Sequence, residues 1–180
     1  MIRRLLPLFA FVLLAGLLFV GIRMNSGKDT SAIPSPLIGK SVPAFSLPVL
    51  GDPTKKISDR ELRGTPYLLN VWGSWCPNCR VEHPVISALA RRGKLRIVGY
   101  NYKDAPEDAQ RWLDEFGNPY AIVLADEDGR AALDWGIYGA PESFLVDSQG
   151  IVRWKSVGPI DDDIVRTQIE PLLAAMAVTR

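Results

Sequence analysis

Cys76 and Cys79 stand two residues apart in Trp75-Cys76-Pro77-Asn78-Cys79-Arg80, and the chain has no other cysteine. Two thiols in one tetrapeptide cannot staple distant parts of a fold, so they are free for chemistry. Before them runs Tyr67-Leu68-Leu69-Asn70-Val71-Trp72, mostly apolar and of the type found in buried strands. After them Val81, Val85, Ile86 and Leu89 fall on one helical face, predicting a helix from Cys76-Pro77 to about Arg92. Unpaired N–H groups and the dipole at a helix N-terminus stabilise an anion. Cys76 is therefore expected as a partly exposed thiolate nucleophile. Cys79, one turn further in, is expected as a shielded resolving thiol. The chemistry this permits is thiolate attack on a disulfide, a mixed disulfide, then release by the second thiol.

Other uses of the pair compete with that one. A structural bridge across two intervening residues closes too small a loop to constrain the unfolded chain much. A zinc site could draw on Cys76, Cys79 and His83, but only a strained Glu82 is left to complete four ligands. Covalent haem attachment needs His immediately after the second cysteine, where Arg80 stands.

The elements that must position the dithiol are legible in outline. A second strand is predicted over Leu95–Tyr102, a helix from Asp104-Ala105-Pro106-Glu107 to about Phe116, and a third strand over Tyr120–Leu124. A short helix follows over Gly129–Trp135. Glu142–Val146 and Ile151–Trp154 flank the turn Asp147-Ser148-Gln149-Gly150 and read as a hairpin. A last helix, about Asp162–Met176, should kink at Pro171, and Pro84 should kink the helix after the dithiol. Val42–Leu50, around Pro43 and Pro48, reads as an irregular edge strand or hairpin. Strands alternating with helices imply an α/β sheet covered on both faces.

The N-terminus is different in kind. No charged side chain appears from Leu5 to Ile22, and Arg3 and Arg4 precede that run. At about 1.5 Å per residue it reaches roughly 27 Å, against a hydrocarbon core of about 30 Å. The expectation is a cytoplasmic N-terminus (1–4), a transmembrane anchor (5–22), a linker (23–37) and one domain (38–180) outside the cytoplasm. A cleaved signal peptide is the alternative, although Arg23-Met24-Asn25-Ser26 offers no small-x-small cleavage site. Lysine plus arginine total 21 against 20 acidic residues, a net charge of +1, so no basic field exists to attract nucleic acid.

Beyond the dithiol, Leu68-Leu69-Asn70-Val71-Trp72, Trp75-Cys76-Pro77, Cys79-Arg80 and Glu82-His83 make the chain resemble the thioredoxin family. More narrowly it is similar to the membrane-anchored DsbE/CcmG group of cytochrome c maturation. Val98 to Asp104, Gly117 to Tyr120 and Gly139 to Leu145 match that group as well, and the likeness runs from about Ile38 to the C-terminal helix.

The resemblance implies a thioredoxin-like fold with an added N-terminal hairpin. It implies a cis-proline at Pro141 facing the dithiol, with the backbone of Ala140 open to an extended substrate strand. Trp75 and Pro77 then join Ala140 in the substrate-binding surface. Glu142, beside the dithiol, would raise the thiol pKa and accept the proton of Cys79, or else be a solvated surface glutamate. Glu82 competes for the same task, or merely complements the start of its helix. Asn70 departs from thioredoxin, which keeps an aspartate there; an amide cannot accept a proton. His83 is expected in packing or a polar contact.

By the same resemblance the chain is an inner-membrane reductant facing the periplasm. It would keep the haem-binding cysteines of apocytochrome c, or of a maturation partner, reduced. Its electrons would come from a transmembrane thiol reductase, with the dithiol itself in place of any metal or nucleotide cofactor. An oxidase running the same motif in reverse, and a haem or apoprotein chaperone without turnover, are the competing readings.

Overall fold

The structure is a computed structural model that describes residues 2–25 and 35–178. It divides into two units, residues 1–33 and 34–180.

The first unit is one helix, α1 (Ile2–Asn25), with Arg23 in its last turn, where a cation suits the negative end of the dipole. The helix therefore runs past the expected start of the linker at residue 23, and most of that linker lies outside the described residues. The side chains of α1 are described only at Phe9, 11–21 and Arg23. Among the described residues no helix is long and apolar enough to cross a membrane.

The second unit is built on a seven-stranded sheet. Its strands are β1 (Ser46–Val49), β2 (Asp52–Ser58), β3 (Tyr67–Trp72), β4 (Arg96–Tyr102), β5 (Ile122–Asp126), β6 (Glu142–Val146) and β7 (Val152–Val157). They lie in the order β2-β1-β5-β4-β3-β6-β7. The central β3, β4 and β5 are parallel, which requires helical crossovers between them. These are α2 (Pro77–Arg91) and α3 (Pro106–Phe116). The β6–β7 hairpin adds antiparallel to β3, and β1–β2 adds antiparallel to β5.

Side chains alternate along each strand, so β3 feeds two cores. Leu69 and Val71 join Phe144 and Trp135 of α4 (Arg130–Trp135) on one face. Leu68 and Trp72 join Ile86 and Leu89 of α2, Trp112 and Leu113 of α3, and Val165 and Ile169 of the C-terminal segment on the other. The α/β fold with both faces covered is thus as expected.

Three departures have local causes. β2 was not foreseen, because Asp52-Pro53-Thr54-Lys55-Lys56 carries no apolar alternation; as an outer edge strand it stays exposed apart from Ile57. The C-terminal helix does not simply bend at Pro171. It runs as α5 (Asp162–Ile164), a π-helical turn over Val165–Ile169, and α6 (Glu170–Val178). Proline has no N–H to bond four residues back, and the wider turn precedes it. Asp104, expected at a helix start, caps nothing: the N-cap of α3 is Ala105, without a side-chain hydrogen bond.

Candidate active site

The dithiol sits where β3 hands over to α2. Cys76 is the N-cap of α2, Pro77 occupies its first turn, and the N–H of Cys79 points at Cys76 Sγ at 3.1 Å. A sulfur that accepts a helix N-terminal N–H is one whose anion is stabilised when the bond is reduced. Cys76 and Cys79 are joined as a disulfide, with Cα atoms 5.3 Å apart.

Cys76 was expected to be partly exposed, and here it is not: it is 3% exposed and Cys79 2%. In this oxidised state both residues pack into the α2-side core with Trp72, and access is confined to the surface around them. Exposed Pro77 and half-exposed Trp75 form that surface.

The loop before Cys76 is tied down from one side. Asp104 accepts Ser74 N–H and Ser74 Oγ–H, each at 2.6 Å, and the Asn101 amide at 2.8 Å. The Trp75 indole donates to the carbonyls of Tyr102 and Lys103. Gly73 must be glycine, because a Cβ there would stand 2.5 Å from the Trp75 indole nitrogen. Asp104 was missed as a site residue. Its position two residues before a helix-initiating proline disguised it as a capping acid.

On the other side lies the Tyr138–Pro141 loop. The Ala140–Pro141 bond is cis, as expected. Ala140 packs against the buried cluster that contains both cysteines. Pro141's carbonyl is taken by Gly158 N–H, whereas Ala140's own N–H and carbonyl bond to nothing among the described residues.

The two candidate acids sit on opposite faces of the sheet. Cross-strand pairing sets Glu142 opposite Val71, and Ser143 opposite Asn70. Directly opposed residues share a face, so Glu142 points to the α4 side with Val71 and Phe144. There it is 1% exposed, so it is no solvated surface glutamate. Its Oε1 accepts the N–H groups of Tyr138 and Gly139, and its Oε2 lies 2.8 Å from Lys155 Nζ. Lys155 also donates to Gly136 O. Glu142 thus holds the cis-proline loop from beneath.

Glu82 lies on the α2 side, one helical turn after Cys79, and is 2% exposed. Its Oε1 accepts Asn70 Nδ2–H and its Oε2 accepts Ile160 N–H, both at 2.8 Å. It is turned into the protein and does not serve the helix start. Burial pushes its pKa up to about 7, and the bonds from Asn70 and Ile160 only partly offset this. A carboxyl group so placed can take up and release a proton near neutrality.

His83 stacks edge-on against Trp112, and its Nε2 contacts Phe116 O at 3.2 Å. Burial lowers its pKa, and it is a packed, hydrogen-bonded histidine, the packing and polar-contact role anticipated. Among the described residues no group of three or more His, Cys, Asp or Glu side chains is placed to hold a metal ion. A groove of about 540 Å³ between residues 147–153 and α6 shares no residue with this site.

A sheet of this topology, with a Cys-x-x-Cys pair at a helix N-terminus beside a cis-proline loop, defines a thiol–disulfide oxidoreductase of the thioredoxin-like class. The family model named Redoxin matches residues 37–170. The chain is 49% identical over 168 residues to the thiol:disulfide interchange protein DsbE of Pseudomonas aeruginosa, covering 93% of this chain and 91% of that protein. It is 46% identical over 172 residues to the DsbE of Allochromatium vinosum, covering 96% and 93%. The solved structure of MTB dsbF in its mixed oxidised and reduced forms superposes with a TM-score of 0.63 at 25% identity, covering 73% of this chain and 94% of that one. The chain belongs to the DsbE family of thiol:disulfide interchange proteins.

Proposed function

We propose that this oxidoreductase works as a reductant in c-type cytochrome biogenesis. Held at the membrane by residues 5–22, it would present its second unit to the periplasm. Its substrate is a disulfide in apocytochrome c or in a maturation partner, and a transmembrane thiol reductase restores the dithiol. The family likeness supports the pathway. One observation carries the chemistry: the N–H of Cys79 is aimed at Cys76 Sγ at a helix N-terminus.

The Cys76 thiolate attacks one sulfur of the substrate disulfide, and the other leaves as a thiolate that takes a proton from water. The Cys79 thiol then gives its proton to the Glu82 carboxylate and attacks Cys76 Sγ. The Cys76–Cys79 disulfide forms as the bond from Cys76 to the substrate breaks, and the second substrate sulfur leaves as a thiolate that also takes a proton from water. The substrate departs as a dithiol, and two electrons have moved to it. The free backbone of Ala140 offers the substrate segment one strand-like pairing, and Trp75 and Pro77 border it. Asn70 cannot take the proton, and Glu142 is committed to Lys155 on the far face, so Glu82 is the acceptor.

The test is to restore a strain lacking this gene with the Cys76→Ala variant. Loss of c-type cytochromes, with the variant present at normal levels and folded, is expected. Normal cytochrome levels in that strain would contradict the proposal.

A further inference from the structure

The groups bonded to Glu82 are neutral. Asn70 comes from β3, Ser143 stands beside Asn70 on β6, Ile160 N–H comes from the segment after β7, and Cys79 precedes Glu82 on α2. Among the described residues no cation contacts its carboxylate. The behaviour of the acid therefore depends on how these neutral dipoles are oriented.

Asn70 is the pivotal dipole. A carboxylate only accepts, so an ionised Glu82 requires the amide nitrogen to face it. An isolated asparagine can turn its amide over and present oxygen instead. What fixes it is the far side: Tyr120 Oη donates to Asn70 Oδ1 at 2.8 Å. Asn70 Nδ2 then serves Glu82 at 2.8 Å and Ser143 Oγ at 3.1 Å. Burial and the neighbouring Glu82 charge raise the Tyr120 pKa well above its ordinary value, so the phenol keeps its hydrogen.

The ring is itself located by packing. It stacks on Trp72 with centroids 5.7 Å apart and 15° between planes. It also lies over Gly99, where a Cβ would stand 2.8 Å from its Cγ. Gly99 is thus a glycine so that this tyrosine can reach the strand behind the dithiol.

We propose that Tyr120 is a positioning residue for the reaction: through Asn70 it holds an oriented hydrogen-bond donor on Glu82 and so sets how readily that acid releases its proton. The proposal rests on Glu82 being the proton acceptor of Cys79, but its physical content, the control of Glu82 by Tyr120, can be read separately.

The direction follows from the chemistry. Removing the hydroxyl frees the amide to turn, weakens the bond to the ionised form and leaves the protonated form unharmed. Glu82 should then titrate at higher pH.

The experiment is a carboxyl-carbon NMR titration of Glu82 in the oxidised full-length protein, wild type against Tyr120→Phe, with the pH profile of disulfide exchange measured alongside. Phenylalanine retains the stack on Trp72, so a purely packing role for the ring would leave the midpoint unmoved. The expected result is an upward shift of about 0.5–1 pH unit in the Glu82 midpoint. Gly99→Ala, which displaces the ring, should shift it in the same direction. Unchanged Glu82 midpoints in Tyr120→Phe and Gly99→Ala would overturn the proposal. A shifted midpoint with an unshifted exchange profile would support the control of Glu82 by Tyr120 and remove Glu82 from proton acceptance.

Discussion

Two glutamates are buried at the active end of this sheet, and they are handled in opposite ways. Glu142, on the α4 face, meets a lysine ammonium and two loop N–H groups. Glu82, on the α2 face, meets only an amide and one backbone N–H among the described residues. An ammonium and oriented donors fix a buried charge, whereas neutral donors alone leave charged and protonated forms close in energy. The first carboxylate is suited to hold the cis-proline loop and the second to exchange a proton. Equal burial says little about role; the charge of the partner decides it.

The sharpest way to break this contrast is Glu142→Ala. It strands Lys155, whose side chain is only 9% exposed, without its counter-ion. A destabilisation of about 3–5 kcal/mol is expected in denaturant unfolding. A loss below about 1 kcal/mol would mean the pair holds nothing.

Glu82→Gln should act in the other direction above neutrality. The carboxyl rises from an ordinary 4.5 to about 7 on folding. Between those values the folded protein binds more protons than the unfolded one, so stability falls as pH rises through the window. The full loss is about 3 kcal/mol. Glutamine removes that slope, so the variant should gain on wild type between pH 5 and 8, most at the alkaline end. Parallel stability–pH curves would show that burial does not raise the Glu82 pKa as described.

Asp104→Asn tests whether the loop before Cys76 needs a full carboxylate. One of its acceptor oxygens becomes a donor facing Ser74 or Asn101, which should cost about 2 kcal/mol. Exchange should slow with it, and stopped-flow kinetics would register both. Leu133→Ser, on the outer side of α4 at 75% exposure, should change stability by less than about 0.5 kcal/mol. A larger effect would show that this face is covered in the full protein.

The sequence made the frame visible where local signals were strong. The mostly apolar run Tyr67–Trp72, the proline in the first turn of α2 and the turn Asp147–Gly150 each name one element with little competition. What stayed hidden needed register. That Glu142 and Glu82 occupy opposite faces follows only once Val71 is known to pair with Glu142. Lys155 pairs directly with Phe144 and becomes Glu142's counter-ion diagonally, a relation no motif contains. Tyr120 and Asn70 meet across fifty residues of chain. Asp104 was legible as an acid near a helix start, yet the loop it ties down lies thirty residues back at Ser74. The polar strand β2 gave no period to follow because it is an edge with almost nothing to bury.

The central claim is that Cys76 is the attacking sulfur and Cys79 the one that releases the product. Replacing Cys79 with serine in the full-length protein, in its native cells, and identifying its disulfide-linked partners by mass spectrometry addresses it directly. The account predicts mixed disulfides at Cys76 to apocytochrome c, its maturation proteins or a membrane thiol reductase, and none when Cys76 is replaced instead. Trapping through Cys79 when Cys76 is replaced, with no adducts at Cys76 in the serine variant, would contradict it.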